Sequence, residues 1–151
     1  MSTFAHIFNS RISTLNNADL KKAGLKITTP RRKILEIMEN AKDHHVSAED
    51  IYRVLLESGE EIGLATVYRV LTQFEEAGLI MRHRFESGQS VFELDSGAHH
   101  DHLVCVECGR VMEFVDELIE ARQTEIAQKA GFTITDHSLT IYGICEKCAK
   151  K

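Results

Sequence analysis

Apolar positions in the first half of the chain recur mainly at helical spacing. The opening 15 residues show no strong periodicity and read as a loose arm or a short first helix, and residues 20–24 read as a helical turn ending at Gly24. Thr29 then reads as an N-cap with Pro30 at the first helical position, and Ile34, Leu35, Ile37 and Met38 supply the buried stripe of a helix ending near Asn40. Ser47-Ala48-Glu49-Asp50 is a capping box that opens a second helix, with Ile51, Tyr52, Leu55 and Leu56 as its apolar face and Ser58-Gly59 as its end. In a third helix over residues 63–74, Val67, Val70, Leu71 and Phe74 repeat at i, i+3, i+4 and i+7. Burying that stripe leaves Thr66, Tyr68, Arg69, Thr72 and Gln73 projecting outward, and Ala77-Gly78 closes the helix.

The period then changes. Two extended runs, 79–85 and 90–94, are joined through residues 86–89 as a hairpin. Three helices followed by a hairpin predict the winged form of the helix-turn-helix. Residues 95–98 read as a hinge between a domain over 1–94 and a second over 99–151. The second domain is expected to hold a strand over 99–104, a strand over 110–114, and a helix over 116–130 with Leu118, Ile119, Arg122, Ile126 and Ala130 on one side and Gly131 as its cap. A last strand is expected over 132–144. The fold class is therefore α+β, a winged helix-turn-helix followed by a small α/β domain. An exposed sheet edge in that domain invites pairing with a second copy, and a helix-turn-helix usually needs a dimer to read a two-fold DNA site.

Composition narrows the class. A chain of 151 residues with 43% hydrophobic content sustains one ordinary domain or two small ones, and two small ones would benefit from a metal staple. There is no apolar run of membrane-spanning length and no apolar signal-peptide core, so the expectation is a cytoplasmic protein with reduced thiols and no membrane partner. The net charge of -5 is unevenly spread: residues 1–84 carry 12 Lys+Arg against 11 Asp+Glu, whereas residues 85–151 carry 6 against 12. Lys21, Lys22, Lys26, Arg31, Arg32 and Lys33 follow one another with no acid between Asp19 and Glu36. Such a run is often only a solvated helix start. Arg31 and Arg32 fall in the first turn of their helix, where the dipole disfavours cations, so phosphate contact is the use they suggest. Together with Tyr68 and Arg69 on the exposed face of the third helix, the patch points to DNA.

Metal chemistry concentrates in residues 99–108, which contain His99, His100, Asp101, His102, Cys105 and Cys108. On a strand, alternation sends His99 and Asp101 to one face and His100 and His102 to the other, so one short strand can feed two metal sites. Cys105 and Cys108 form a C-x-x-C knuckle, and Cys145 and Cys148 form another. All four cysteines are thereby used, and structural zinc is the default reading ahead of a redox pair or a chance cluster of small hydrophobes. Such an ion ties a C-terminal strand back across the domain.

These motifs carry a resemblance. The runs 44–50, 63–70, 90–94 and 99–108 resemble the ferric uptake regulator family over about residues 18–148. The resemblance implies an N-terminal winged-helix domain, a C-terminal dimerisation domain, and repression of iron-uptake genes when ferrous iron is bound. It implies that Lys26 enters the minor groove of operator DNA while Tyr68 and Arg69 meet bases in the major groove; Arg31, from its place in a helix first turn, and Thr66, from the outward face of the third helix, are expected to contact DNA as well. Cys105, Cys108, Cys145 and Cys148 match the family's structural zinc ligands. His45, Glu93, His100, His102 and Glu113 match its regulatory site, which lies between the two domains. His99, Asp101, Glu120 and His137 match a third site. Glu at 93 and 113, where peroxide-sensing relatives favour Asp, leans toward the iron branch, with Mn2+ or Zn2+ as substitutes for Fe2+. The expected protein is not an enzyme but a homodimeric repressor, with a tetramer also open. The alternatives are a zinc-, manganese- or peroxide-sensing member of the same family, or, from other classes, a zinc metallohydrolase using Glu93 or Glu113 as general base, or a metal-storage or metal-delivery protein. The hydrolase reading leaves residues 29–94 without a role.

Overall fold

A computed structural model describes residues 15–42, 45–86, 88–95 and 97–151. The described residues divide into two compact units, one running to Gly97 and the other from Ala98 to Lys151. The stretch 1–14, His44 and part of the 86–89 connection lie outside the described residues.

The first unit contains α1 (Asn17–Lys22), α2 (Thr29–Asn40), α3 (Ala48–Glu57), α4 (Leu64–Glu76) and an antiparallel hairpin of β1 (Ile80–Arg84) and β2 (Ser90–Leu94). This is a winged helix-turn-helix with an extra leading helix. The leading helix starts earlier than the turn expected at 20–24, because Asn16 and Asp19 form a reciprocal capping box that periodicity alone does not show. The cap of α2 also differs from expectation. Thr28 accepts from the Arg31 amide, and Thr29 is already helical. In α3 the Ser47–Asp50 box is present, but Leu56 is 55% exposed, so only Ile51 and Leu55 of the expected face are buried outright. The α4 stripe is buried throughout, Val67, Val70, Leu71 and Phe74 all lying at 4% exposure or less. These side chains meet Leu20, Ile34, Leu35, Ile51, Leu55, Ile80 and Phe92 in one core.

One bridge ties the wing to the helices. Val46, just before α3, exchanges both backbone hydrogen bonds with Phe92 of β2, at 3.0 and 2.8 Å. Phe92 is thereby held fully buried against the helices.

The second unit contains β3 (Asp101–Cys105), β4 (Val111–Phe114), α5 (Glu117–Lys129), β5 (Thr140–Gly143) and a short α6 (Glu146–Ala149). Strand order is β4-β3-β5, antiparallel to β4 and parallel to β5. A parallel neighbour needs a crossover, and α5 supplies it, capped at Asp116 by hydrogen bonds from the amides of Leu118 and Ile119. Two expectations are corrected. The strand expected over 99–104 begins only at Asp101, so His99 and His100 precede it. The strand expected over 132–144 shrinks to Thr140–Gly143: pairing with β3 starts where the His102 amide donates to the Leu139 carbonyl at 3.0 Å and Thr140 falls opposite His102, and among the described residues no ladder reaches the β-branched residues before that point. No residue of α5 is buried: Leu118 is 81% exposed and Ile126 55%. Among the described residues no helix is long and apolar enough to cross a membrane.

Phe92 is the wing's anchor in the core. Phe92→Ala is expected to destabilise the first unit by about 3–5 kcal/mol, read as a lowered urea midpoint at unchanged slope.

Candidate metal centres and nucleic-acid face

The cysteine knuckles converge. Cys105 ends β3, and a turn through Cys108 to Gly109 follows, Gly109 taking a positive φ of 75° and donating to the Cys105 carbonyl at 2.9 Å. A side chain there would strain the turn. Parallel pairing of β5 with β3 delivers Cys145 beside Cys105, whose Sγ accepts from the Cys145 amide at 3.3 Å, and α6 returns Cys148. All four sulfurs lie within 4.8 Å of one another, with Cys108 and Cys145 Sγ 3.7 Å apart. Zinc–sulfur bonds of about 2.3 Å in a tetrahedron require sulfurs about 3.8 Å apart, so the set fits that ion. Amide donors from Cys108 and Cys145 pull the Cys105 thiol down to about 6. Cys148 is pushed up to about 12, first by its hydrogen bond with Cys145 and then by burial. Protein donors alone thus favour a thiolate at Cys105 and a thiol at Cys148, and a cation is the group that lets the whole set ionise.

A second cluster lies in the same unit. His99 Nε2 stands 3.1 Å from Asp101 Oδ1 and 3.2 Å from Glu120 Oε1, and His137 Nε2 stands 2.8 Å from Glu120 Oε2. The His99 and His137 rings are 4.1 Å apart. Asp101 is fully buried and its Oδ2 has no hydrogen-bond partner, an atom that a cation would satisfy. Also in this unit, His100 Nε2 is 3.4 Å from Glu113 Oε1, and strand register sets Glu113 opposite His102.

The first unit contributes His45 and Glu93. Because Val46 pairs with Phe92, His45 falls opposite Glu93, and His45 Nε2 lies 2.9 Å from Glu93 Oε2 with both side chains 2% exposed. His83, which was not singled out in the sequence, takes the other oxygen, Nε2 to Oε1 at 2.6 Å. The expected regulatory set therefore divides as His45 and Glu93 in one unit and His100, His102 and Glu113 in the other.

The exposed face of α4 is tied to its surroundings by contacts that residue spacing does not reveal. Tyr68, 41% exposed, donates its hydroxyl to Glu49 Oε1 of α3 at 2.5 Å, and Gln89 reaches Glu49 Oε2 at 3.5 Å. The hydrogen bond from Tyr68 holds the Glu49 carboxyl below its ordinary range, and the same bond raises the Tyr68 hydroxyl. Arg31 donates through Nε and Nη2 to Gln73 Oε1, at 3.2 and 2.9 Å, and through Nη1 to the Lys26 carbonyl at 2.8 Å. Its guanidinium thus ties the Lys26 backbone to α4. Lys33 pairs with Glu60 at 2.8 Å. Lys21, Lys22, Lys26 and Arg32 are the exposed cations left in the basic run, with Arg69 exposed on α4 and Thr66 half-buried in its first turn.

Removing the ion from the thiolate set is expected to loosen the second unit. A strong chelator under reducing conditions should release one zinc per chain and expose 98–151 to proteolysis. Cys148→Ser should reproduce both effects, and resistance of that unit to chelation would remove the zinc reading.

The ferric uptake regulator family model matches residues 22–142. The chain is 68% identical over 129 residues to the ferric uptake regulation protein of Legionella pneumophila, covering 85% of this chain and 95% of that one. The crystal structure of the Vibrio cholerae ferric uptake regulator superposes with a TM-score of 0.80 at 58% identity, covering 87% of this chain and all of that one. The ferric uptake regulator of Francisella tularensis, whose structure was solved with iron, superposes with a TM-score of 0.79 at 44% identity, covering 83% and 96%. A winged helix, convergent thiolates and matches running nearly the full length of these relatives give one conclusion: the chain belongs to the ferric uptake regulator family, a family of transcription regulators.

Proposed function

We propose that this protein is a metal-dependent repressor of iron-uptake genes that binds two-fold operator DNA as a homodimer when ferrous iron is bound. The observation that carries the reading is an exposed recognition-helix face, flanked by free cations, in the same chain as buried imidazole and carboxylate groups held within reach of a metal ion. The ligands assigned to the regulatory ion are His45, Glu93, His100, His102 and Glu113. Cys105, Cys108, Cys145 and Cys148 are assigned to structural zinc, and His99, Asp101, Glu120 and His137 to a third cation. The regulatory ion supplies positive charge and fixed directions to groups that are costly to bury when ionised and unpaired. Donor type does not by itself choose iron, since a nitrogen and oxygen set binds zinc more tightly, so occupancy follows metal availability.

On the DNA side, Lys26 is assigned to the minor groove, Tyr68 and Arg69 to base edges, and Thr66 to the same face. Arg31 supports that face by holding the Lys26 segment at a set distance from α4, which fixes the spacing between the two groove contacts. Tyr68 must leave Glu49 or carry it along to reach a base, so Glu49 biases where the ring points before DNA arrives. With the regulatory donors engaged, the binding-competent arrangement is populated in advance and operator affinity rises. The assembly proposed is a pair of second units, whose exposed Leu118, Ile126, Phe132 and Ile144 give them apolar surface to bury against a second copy.

The test is anaerobic fluorescence anisotropy with zinc-loaded protein and an A/T-rich two-fold operator, titrated with ferrous iron, manganese or zinc. Tight binding that appears with ferrous iron and falls steeply with salt is expected. Response to zinc alone would make the protein a zinc sensor, and absence of DNA binding under every metal would sink the repressor reading. His45→Ala should abolish the metal response while leaving structural zinc and the dimer intact. Gln73→Ala should weaken operator binding about fivefold without changing the salt slope, whereas Lys26→Ala should lower that slope by about 0.9.

A further inference from the structure

The wing and the segment that leads into α3 together hold a three-donor constellation that the ligand set above uses only in part. Glu93 sits in β2 with a neighbouring chain on each side. Across the Val46–Phe92 bridge its opposite residue is His45. Across the hairpin it pairs with Met81, and His83, two residues further along β1, is its diagonal neighbour on the same face. One 2%-exposed carboxylate is therefore gripped from both sides, by His45 at 2.9 Å and by His83 at 2.6 Å. The His83 ring is itself oriented, stacked on Phe85 with 6° between the planes and 5.7 Å between centroids, and its side chain is only 17% exposed. The ligating atoms of all three lie within 4.8 Å of one another.

We infer that His83 is a metal ligand and that His45, His83 and Glu93 form a divalent-cation site built entirely within the winged-helix unit. Two imidazoles and one carboxylate are a donor set that accepts ferrous iron, cobalt, manganese or zinc while leaving positions open to water or further ligands. The unit that carries the recognition helix thus captures the ion with its own side chains. The bridge that seats Phe92 in the core also sets His45 against Glu93, so occupancy of this site bears directly on the packing of the wing against α3. The inference rests on the regulatory reading only in taking His45 and Glu93 as ligands. A histidine that merely satisfies Glu93 by a hydrogen bond would show the same distances without metal, and the experiment separates the two.

Full-length, zinc-loaded chain labelled with 15N-histidine is titrated anaerobically with Co2+, whose unpaired electrons shift the ring signals of ligating imidazoles far outside the normal range. The His83 ring signal, assigned by through-bond correlation in the wild-type chain, should move with the first equivalents that also shift His45. His83→Phe, which keeps a ring to stack on Phe85, should retain its zinc and its circular dichroism while losing that signal and binding Co2+ about 10-fold or more weakly. A His83 ring left in its normal range in wild type overturns the inference, as does unchanged Co2+ affinity in folded His83→Phe. His45→Ala run in parallel isolates the cause: loss of Co2+ binding there but not in His83→Phe defeats only the His83 assignment, whereas no change in either defeats the regulatory ligand set as well. If His83→Phe fails to fold, the wild-type spectrum alone decides.

Discussion

Consecutive residues Phe92 and Glu93 are both buried, at 0% and 2% exposure, and they face opposite sides of β2. Strand alternation makes this pair the joint between folding and chemistry. Phe92 is one of the largest side chains in the helical core and is expected to be worth several kcal/mol there, while Glu93 is a charge that burial penalises unless it is matched. The Val46 bridge serves both residues, seating the phenyl ring and setting His45 against the carboxylate. A shift of register by one residue would exchange the two faces, sending the carboxylate into the core. The fold of the first unit and the metal chemistry proposed for it therefore share one constraint.

The second unit is organised differently. Its buried hydrophobic residues are Val104, Cys105, Val111 and Cys148, beside the buried polar Asp101 and His102, and its helix buries nothing outright. Two of those four are zinc-ligand candidates. A unit of this size with so small a core needs cross-links, and convergent thiolates at the ends of β3 and β5 are placed to supply one. Exposed apolar side chains on α5 and on the segment after it, Leu118, Ile126 and Phe132 among them, leave this unit with apolar surface that its own small interior does not bury.

Function in the proposed reading depends on side chains held before any partner arrives. Arg31 spends its donors on Gln73 and the Lys26 carbonyl, so the minor-groove lysine and the recognition helix are spaced by the protein and not by DNA. This also answers the dipole problem: a cation in the first turn of α2 is unfavourable for that helix alone, but its guanidinium leaves the helix to bind elsewhere. Glu49, which reads in the sequence as an ordinary capping-box neighbour, proves to be the partner of Tyr68.

What the sequence determined by itself is local. The α4 stripe, the Ser47 capping box, the hairpin and the two C-x-x-C knuckles are readable because helical period, cap chemistry and ligand spacing act over a few residues. The resemblance to the family rests on such runs, and matched relatives bear it out. Departures from the sequence reading fall where the deciding partner is distant or absent: residues 132–139 have strand composition but pair in no ladder among the described residues beyond the Leu139 carbonyl that accepts from His102, and Leu56, on the expected apolar face of α3, is 55% exposed. Only tertiary structure brought Arg31 to Gln73 and Tyr68 to Glu49, 42 and 19 residues apart. Tertiary structure also added His83 to Glu93, because a diagonal contact depends on hairpin register, which no single strand encodes.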